Sequence, residues 1–165
     1  MQVDFDGMVR TLGELVRINS INPAFSGGTT DERMVAAYVA GRMEALGMEV
    51  HSHEAAPGRV SVVGRLRGTG GGRSLMLYAH HDTVGIEGMP DPWSAEVRDG
   101  RMYGRGAYDM KCGLAACLAA VQAITRTGVP LLMSNSAGMT RLRGSAGASL
   151  MSLPLRYRPV WLRLL

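Results

Sequence analysis

Phe5, Met8, Val9, Leu12, Leu15 and Val16 recur three and four positions apart. That interval lines up one face of a helix and predicts an amphipathic helix over 4–17. A glycine-containing break follows at 26–28. Thr29, with Glu32 three residues on, reads as a capping box, in which hydroxyl and carboxylate each satisfy an unpaired backbone N–H. A second helix is therefore expected from that point to about Leu46, burying Met34, Val35, Tyr38, Val39, Met43 and Leu46. Gly47 stands where a left-handed residue ends a helix. Met48 and Val50 then alternate with Glu49, His51 and His53, the period of a half-buried strand with its polar face outward. Residues 59–66 form a second strand candidate, closed by Gly68, Gly70, Gly71 and Gly72 as a hairpin turn. Residues 74–79 are nearly all apolar, as strands covered on both faces are. Leu114, Cys117, Leu118, Val121 and Ile124 return to helical spacing until Gly128 and Pro130. The order helix, helix, strand, strand, strand, loop, helix predicts a layered α/β domain.

Composition narrows this picture without changing it. A chain of 165 residues, 46% hydrophobic and 19% charged, suffices for one globular core. The net charge of +4 is unevenly placed, because all 14 acidic residues lie between Asp4 and Asp109 while 131–165 hold five Arg and no Asp, Glu, Lys or His. The excess is thus a property of the C-terminal stretch, and the body does not read as a nucleic-acid binder. Cys112 and Cys117 point about 140° apart on a helix, so they read as reduced thiols rather than a disulfide. His51 and His53 share a strand face and read as solvated side chains. The glycine cluster lacks the Gly-Lys-Ser/Thr of a phosphate loop and precedes a strand, not a helix. MQVDFDG places acids where a signal peptide carries positive charge, and the apolar run near 113–121 is too short to span a bilayer. A soluble, cytoplasmic protein is expected.

The candidate chemistry lies in 75–113. His80 leaves the C-terminal end of a strand, where open α/β sheets hold their ligands. In extended backbone Asp82 points to the same side, so its carboxylate can accept the second imidazole N–H and leave the other nitrogen for a metal. His81 should face the opposite way. Gly104 and Gly106 permit a sharp bend that brings Asp109 beside the same site. A carboxylate there could be shared between two zinc ions.

The ordered series is specific. It runs His80-x-Asp82-x-Val84, Asp91-Pro92-Trp93, Asp99-Gly100-Arg101-Met102-Tyr103-Gly104-Arg105-Gly106, Asp109-Met110-Lys111 and Gly113. From the first helix to about Pro130 the sequence resembles the zinc metallohydrolase family of acetylornithine deacetylase, succinyl-diaminopimelate desuccinylase, aminoacylase and the glutamate carboxypeptidases. The resemblance implies that 1–130 form an incomplete layered α/β/α catalytic domain of the di-zinc exopeptidase type, without the inserted smaller domain and the later strands of the sheet. It makes His80 a terminal ligand of one zinc, Asp82 the member of the catalytic apparatus that orients it, and Asp109 the carboxylate bridging both metals. A cis peptide is implied between Asp109 and Met110. The implied reaction is hydrolysis of the amide bond of an N-acyl amino acid or small peptide by zinc-activated water. Cys112 stands where the family usually has a small residue.

In the family a Glu-Glu pair, supplying the general base and a ligand, follows the helix after the bridging Asp. Here no acidic residue follows Asp109. The expectation is a truncated metallohydrolase with weak or absent zinc binding and negligible activity. The alternative is a non-catalytic binding or interaction module on a hydrolase scaffold. The stretch 131–165 is expected to be the product of a reading-frame shift near Pro130. Two other readings stand beside it: 153–165 lying on an anionic membrane, or a natural C-terminal strand or helix completing a minimal domain.

Overall fold

Helix α1, Phe5–Arg17, starts where the Asp4 carboxylate accepts the Gly7 N–H at 2.8 Å. Asp6 in its first turn and Arg17 in its last oppose the helix dipole, and Leu15 and Val16 are fully buried. These features belong to a computed structural model of the chain, which describes residues 2–70, 72–128, 137–141 and 162–164. After α1 the chain extends, and a single 3-10 turn, Pro23–Phe25, is capped by the Asn22 side chain.

Helix α2 is Arg33–Ala45 and begins later than the capping box predicted. Thr29 donates its hydroxyl to the Ser26 main-chain oxygen, and Glu32 turns inward and is fully buried. The local pattern lost to a buried ion pair, described below. Val35, Val39 and Met43 are buried as expected, but Met34 is 71% exposed. Gly47 ends the segment at φ 77°, as its position predicted.

Strands β1, Glu49–Ala56, and β2, Arg59–Leu66, form an antiparallel hairpin in the register Glu49↔Arg65. Helix α2 packs on both. The expected strand at 74–79 is reduced to β3, Met76–Leu77, and Leu75 is 45% exposed. A two-stranded hairpin follows, β4 Glu96–Arg98 and β5 Arg101–Tyr103, where the sequence predicts a loop. The Asp99-Gly100 turn between them, with φ 51° and 71°, is a dipeptide that favours tight hairpins. Helix α3, Lys111–Thr125, buries Leu114, Ala115, Leu118 and Val121 and packs on α1. Cys112 and Cys117 are free and half-buried.

Two short strands, β6 Ala137–Arg141 and β7 Leu162–Leu164, complete a five-stranded sheet in the order β1-β2-β6-β3-β7. β2 and β6 are antiparallel, whereas β3 is parallel to β6 and β7, which also pair with each other. The glycine-rich link 67–75 is therefore a connection past β6, not the hairpin turn its composition predicted. The readings of 131–165 otherwise fall on residues outside those described. The mixed α/β class expected from the sequence is the class observed. Its core joins Leu15 of α1, Val35, Val39 and Met43 of α2, Val62 of β2, Ala79, and Leu114, Leu118 and Val121 of α3. Among the described residues no helix is long and apolar enough to cross a membrane.

Candidate metal centre

The path of the chain beyond β3 is fixed by the segment at 20–22 beside it. Thr83 N–H donates to the Ser20 oxygen and Asn22 N–H to the Thr83 oxygen, both at 2.9 Å, and the Ser20 hydroxyl donates to the His81 oxygen at 2.6 Å. Held extended, this stretch sends His80 and Asp82 one way and His81 the other. His81 is buried, with Nε2 3.6 Å from Glu32 Oε2.

His80 Nδ1 lies 3.0 Å from the Asp82 main-chain oxygen and 3.3 Å from Asp82 Oδ1. Both partners accept, as does the Asp109 oxygen beside the other nitrogen, so the three contacts together suit a doubly protonated ring. The other nitrogen, Nε2, faces Asp109 Oδ1 at 3.2 Å. The hydrogen bond to the Asp82 carboxylate, partly opposed by burial, raises the imidazole pKa above its ordinary value.

Asp82 is itself anchored. Its Oδ2 accepts from Asn22 Nδ2 at 2.8 Å and lies 3.6 Å from an Arg59 Nη2. Arg59 Nε in turn sits 3.0 Å from Oε1 of the buried Glu32. One line of charges thus runs from the start of α2 through the first residue of β2 to His80.

Asp109 is delivered by a loop that two glycines allow to pack tightly. At Gly104, φ is 146°, and a Cβ would lie 2.4 Å from Val16 Cγ1. At Gly106, φ is 81°, and a Cβ would meet Thr83 Cγ2 at 2.8 Å. The peptide between Asp109 and Met110 is cis. Directly after it, the Lys111 ammonium is fully buried and donates to the main-chain oxygens of Leu15 and Ile18, both at 2.8 Å. Burial pushes its pKa down to about 8. Lys111 thereby ties the start of α3 to main-chain carbonyls at the end of α1.

The three residues singled out from the sequence, His80, Asp82 and Asp109, converge on one place. Sequence reasoning missed Asn22, Glu32, Arg59 and Lys111. Lys111 left a signal, a lone cation opening an apolar helix. Glu32 and Arg59 left none, because their pairing joins separate elements and the local pattern around Glu32 pointed to a cap. Among the described residues no group of three or more His, Cys, Asp and Glu could hold a metal ion. The available donors are one imidazole nitrogen and one carboxylate oxygen, a set that suits zinc by type but is short of a tetrahedral site.

Residues 76–133 match the model of Peptidase family M20/M25/M40. A succinyl-diaminopimelate desuccinylase of Leptothrix cholodnii is 37% identical over 116 residues, which are 66% of this chain and 28% of that protein. A cysteinylglycine-S-conjugate dipeptidase of Corynebacterium striatum is 31% identical over 97 residues, 56% of this chain and 21% of its own length. Among solved structures, the M20 family metallo-carboxypeptidase Sso-CP2 of Sulfolobus solfataricus superposes with a TM-score of 0.66 at 22% identity, covering 81% of this chain and 30% of that one. Human carnosine dipeptidase 1 gives 0.64 at 25% identity, covering 82% and 31%. The chain spans under a third of each of these proteins.

Proposed function

From the relationship of this chain to the N-terminal part of Peptidase family M20/M25/M40, we propose that it carries one flank of the zinc centre of an amide-bond hydrolase. The observation that carries the reading is the approach of His80 Nε2 to Asp109 Oδ1, 3.2 Å, with His80 Nδ1 turned to Asp82. His80 and Asp109 would hold the metal, and Asp82 would position His80 by accepting a hydrogen bond from its Nδ1–H. A bound zinc ion would supply Lewis acidity toward the amide carbonyl of a small N-acyl amino acid or peptide.

The other flank is not supplied by these 165 residues. No Asp or Glu follows Asp109, so no carboxylate from that stretch can serve as base or further ligand. A general acid–base group typically contributes about 10²- to 10⁴-fold, and two protein donors leave a zinc site open. The 165-residue chain is therefore a weak zinc binder with negligible turnover. The test is hydrolysis of an N-succinyl or N-acetyl amino acid by the purified chain with added zinc. No turnover above the zinc-only blank is expected, and turnover abolished by Asp109→Ala would overturn the reading. The alternative reading is a non-catalytic binding module on the same scaffold. Elemental analysis separates the two, since a module need hold no zinc.

A further inference from the structure

Asp109 is the less supported of the two proposed ligands. Its carboxylate is 79% exposed, and among the described residues its one side-chain partner is His80 Nε2 at 3.2 Å. A carboxylate without further side-chain support is placed by its backbone, so whatever holds the loop around it decides where it stands. Lys111 closes that loop in three ways. Its N–H donates to the Gly106 oxygen at 2.9 Å, which pins the two ends of 106–111 together. Its stem lies against Gly106, where a Cβ would come within 3.1 Å of Cδ and 3.3 Å of Cε. Its fully buried ammonium donates to the Leu15 and Ile18 oxygens, both at 2.8 Å, and lies 5.8 Å from the centre of the Trp93 ring. Leu15 and Ile18 stand at the end of α1, directly before the segment 20–22 that bonds to the backbone of His81 and Thr83. One side chain therefore joins the backbone that presents Asp109 to the backbone that supports His80.

We propose that Lys111 is a positioning residue, which sets the place of Asp109 relative to His80 by locking the 106–111 loop to the end of α1. Its purpose rests on the proposed metal site, whereas the clamp itself does not. An apolar side chain would fill the same space at lower cost, because a buried ammonium is unfavourable unless its donors are satisfied. What the ammonium adds is direction. Its two hydrogen bonds hold only at short, well-aligned geometry, so they fix the loop against α1 in one place, where an apolar contact tolerates sliding. Groups that do not touch a metal but orient its ligands govern metal affinity in general.

The test compares wild type with Lys111→Met, which keeps an unbranched stem without the ammonium, and with Met43→Ala, a core change in α2. Amide hydrogen exchange by NMR on metal-free protein reads the clamp, and zinc titration of the same samples reads its purpose. In Lys111→Met the amides of 107 and 111 should exchange several-fold faster relative to the slowest amides of the same protein. Zinc should bind that variant about 10- to 100-fold more weakly. Met43→Ala should lose stability without singling out those two amides and without weakening zinc binding, which separates positioning from a merely structural role. If Lys111→Met does not fold, wild type decides alone, because a clamped loop opens together with the last turn of α1 and shares its protection. Loop amides much less protected than that turn would overturn the proposal. So would a folded Lys111→Met with wild-type loop exchange, or one with a loosened loop and undiminished zinc affinity. A loop loosened by Lys111→Met when wild type itself takes no zinc sinks the metal site and leaves the clamp.

Discussion

Lys111 Nζ donates to the main-chain oxygen of Leu15 at 2.8 Å across 96 residues of sequence. It links the end of α1 directly to the start of α3, and Asp109 lies two residues before it. Because burial lowers the Lys111 pKa from 10.5 to about 8, the unfolded chain binds more protons than the folded one between those values. Stability contributed through Lys111 therefore rises as pH increases across that window. Relative to Lys111→Met, the wild type should gain up to about 3 kcal/mol over the interval. Urea unfolding of both proteins at several pH values checks this, and a difference that does not vary with pH would contradict it.

His80 gives the opposite slope. Its pKa is raised, chiefly by the Asp82 hydrogen bond, so its contribution is fully present below the ordinary value of about 6.5 and is lost as pH rises through the raised one. Thermal melts of wild type and His80→Gln in a chelator should show the wild-type advantage shrinking toward alkaline pH.

The two bends around Asp109 differ from open turns in what a methyl group would meet. Gly104→Ala would place Cβ 2.4 Å from Val16 Cγ1 at φ 146° and should cost well over about 2 kcal/mol through strain and overpacking together. Gly128→Ala has φ 64° and nothing within 4 Å, so only the backbone penalty of about 1 kcal/mol remains. Urea midpoints of the two variants rank the sites, and equal losses would show that the packing against α1 is not tight.

Met34 and Met43 share helix α2 but not its environment. Met34, 71% exposed, should tolerate Met34→Lys within about 0.5 kcal/mol. Met43 is fully buried, and Met43→Ala should cost about 2–5 kcal/mol. A large loss at Met34 would restore the buried face that periodicity alone predicted.

These contrasts show where the sequence was legible. α1 was readable because its apolar stripe keeps one helical period from Phe5 to Val16, and the Asp4 cap and terminal charges of the structure agree with it. Strand β1 was readable from alternation and β2 as an apolar run, though not their pairing as a hairpin, and His80 and Asp82 were readable from the two-residue period of extended chain. Glu32 was misread because a carboxylate three residues after a threonine satisfies the capping pattern, while the partner that captured it, Arg59, is contributed by a different element. The place of β6 between β2 and β3 was equally hidden, since pairing order is decided by contacts between distant segments. The β4–β5 hairpin left its Asp99-Gly100 signal in plain view.

The central claim is that His80 and Asp109 form one flank of a zinc site. It is tested most directly by calorimetric zinc titration of the 165-residue chain, His80→Ala and Asp109→Ala. Weak, saturable binding by the wild type, lost in both variants while their melts stay cooperative, is the expected result. Zinc binding that survives either substitution, or no wild-type binding at millimolar zinc, would contradict it.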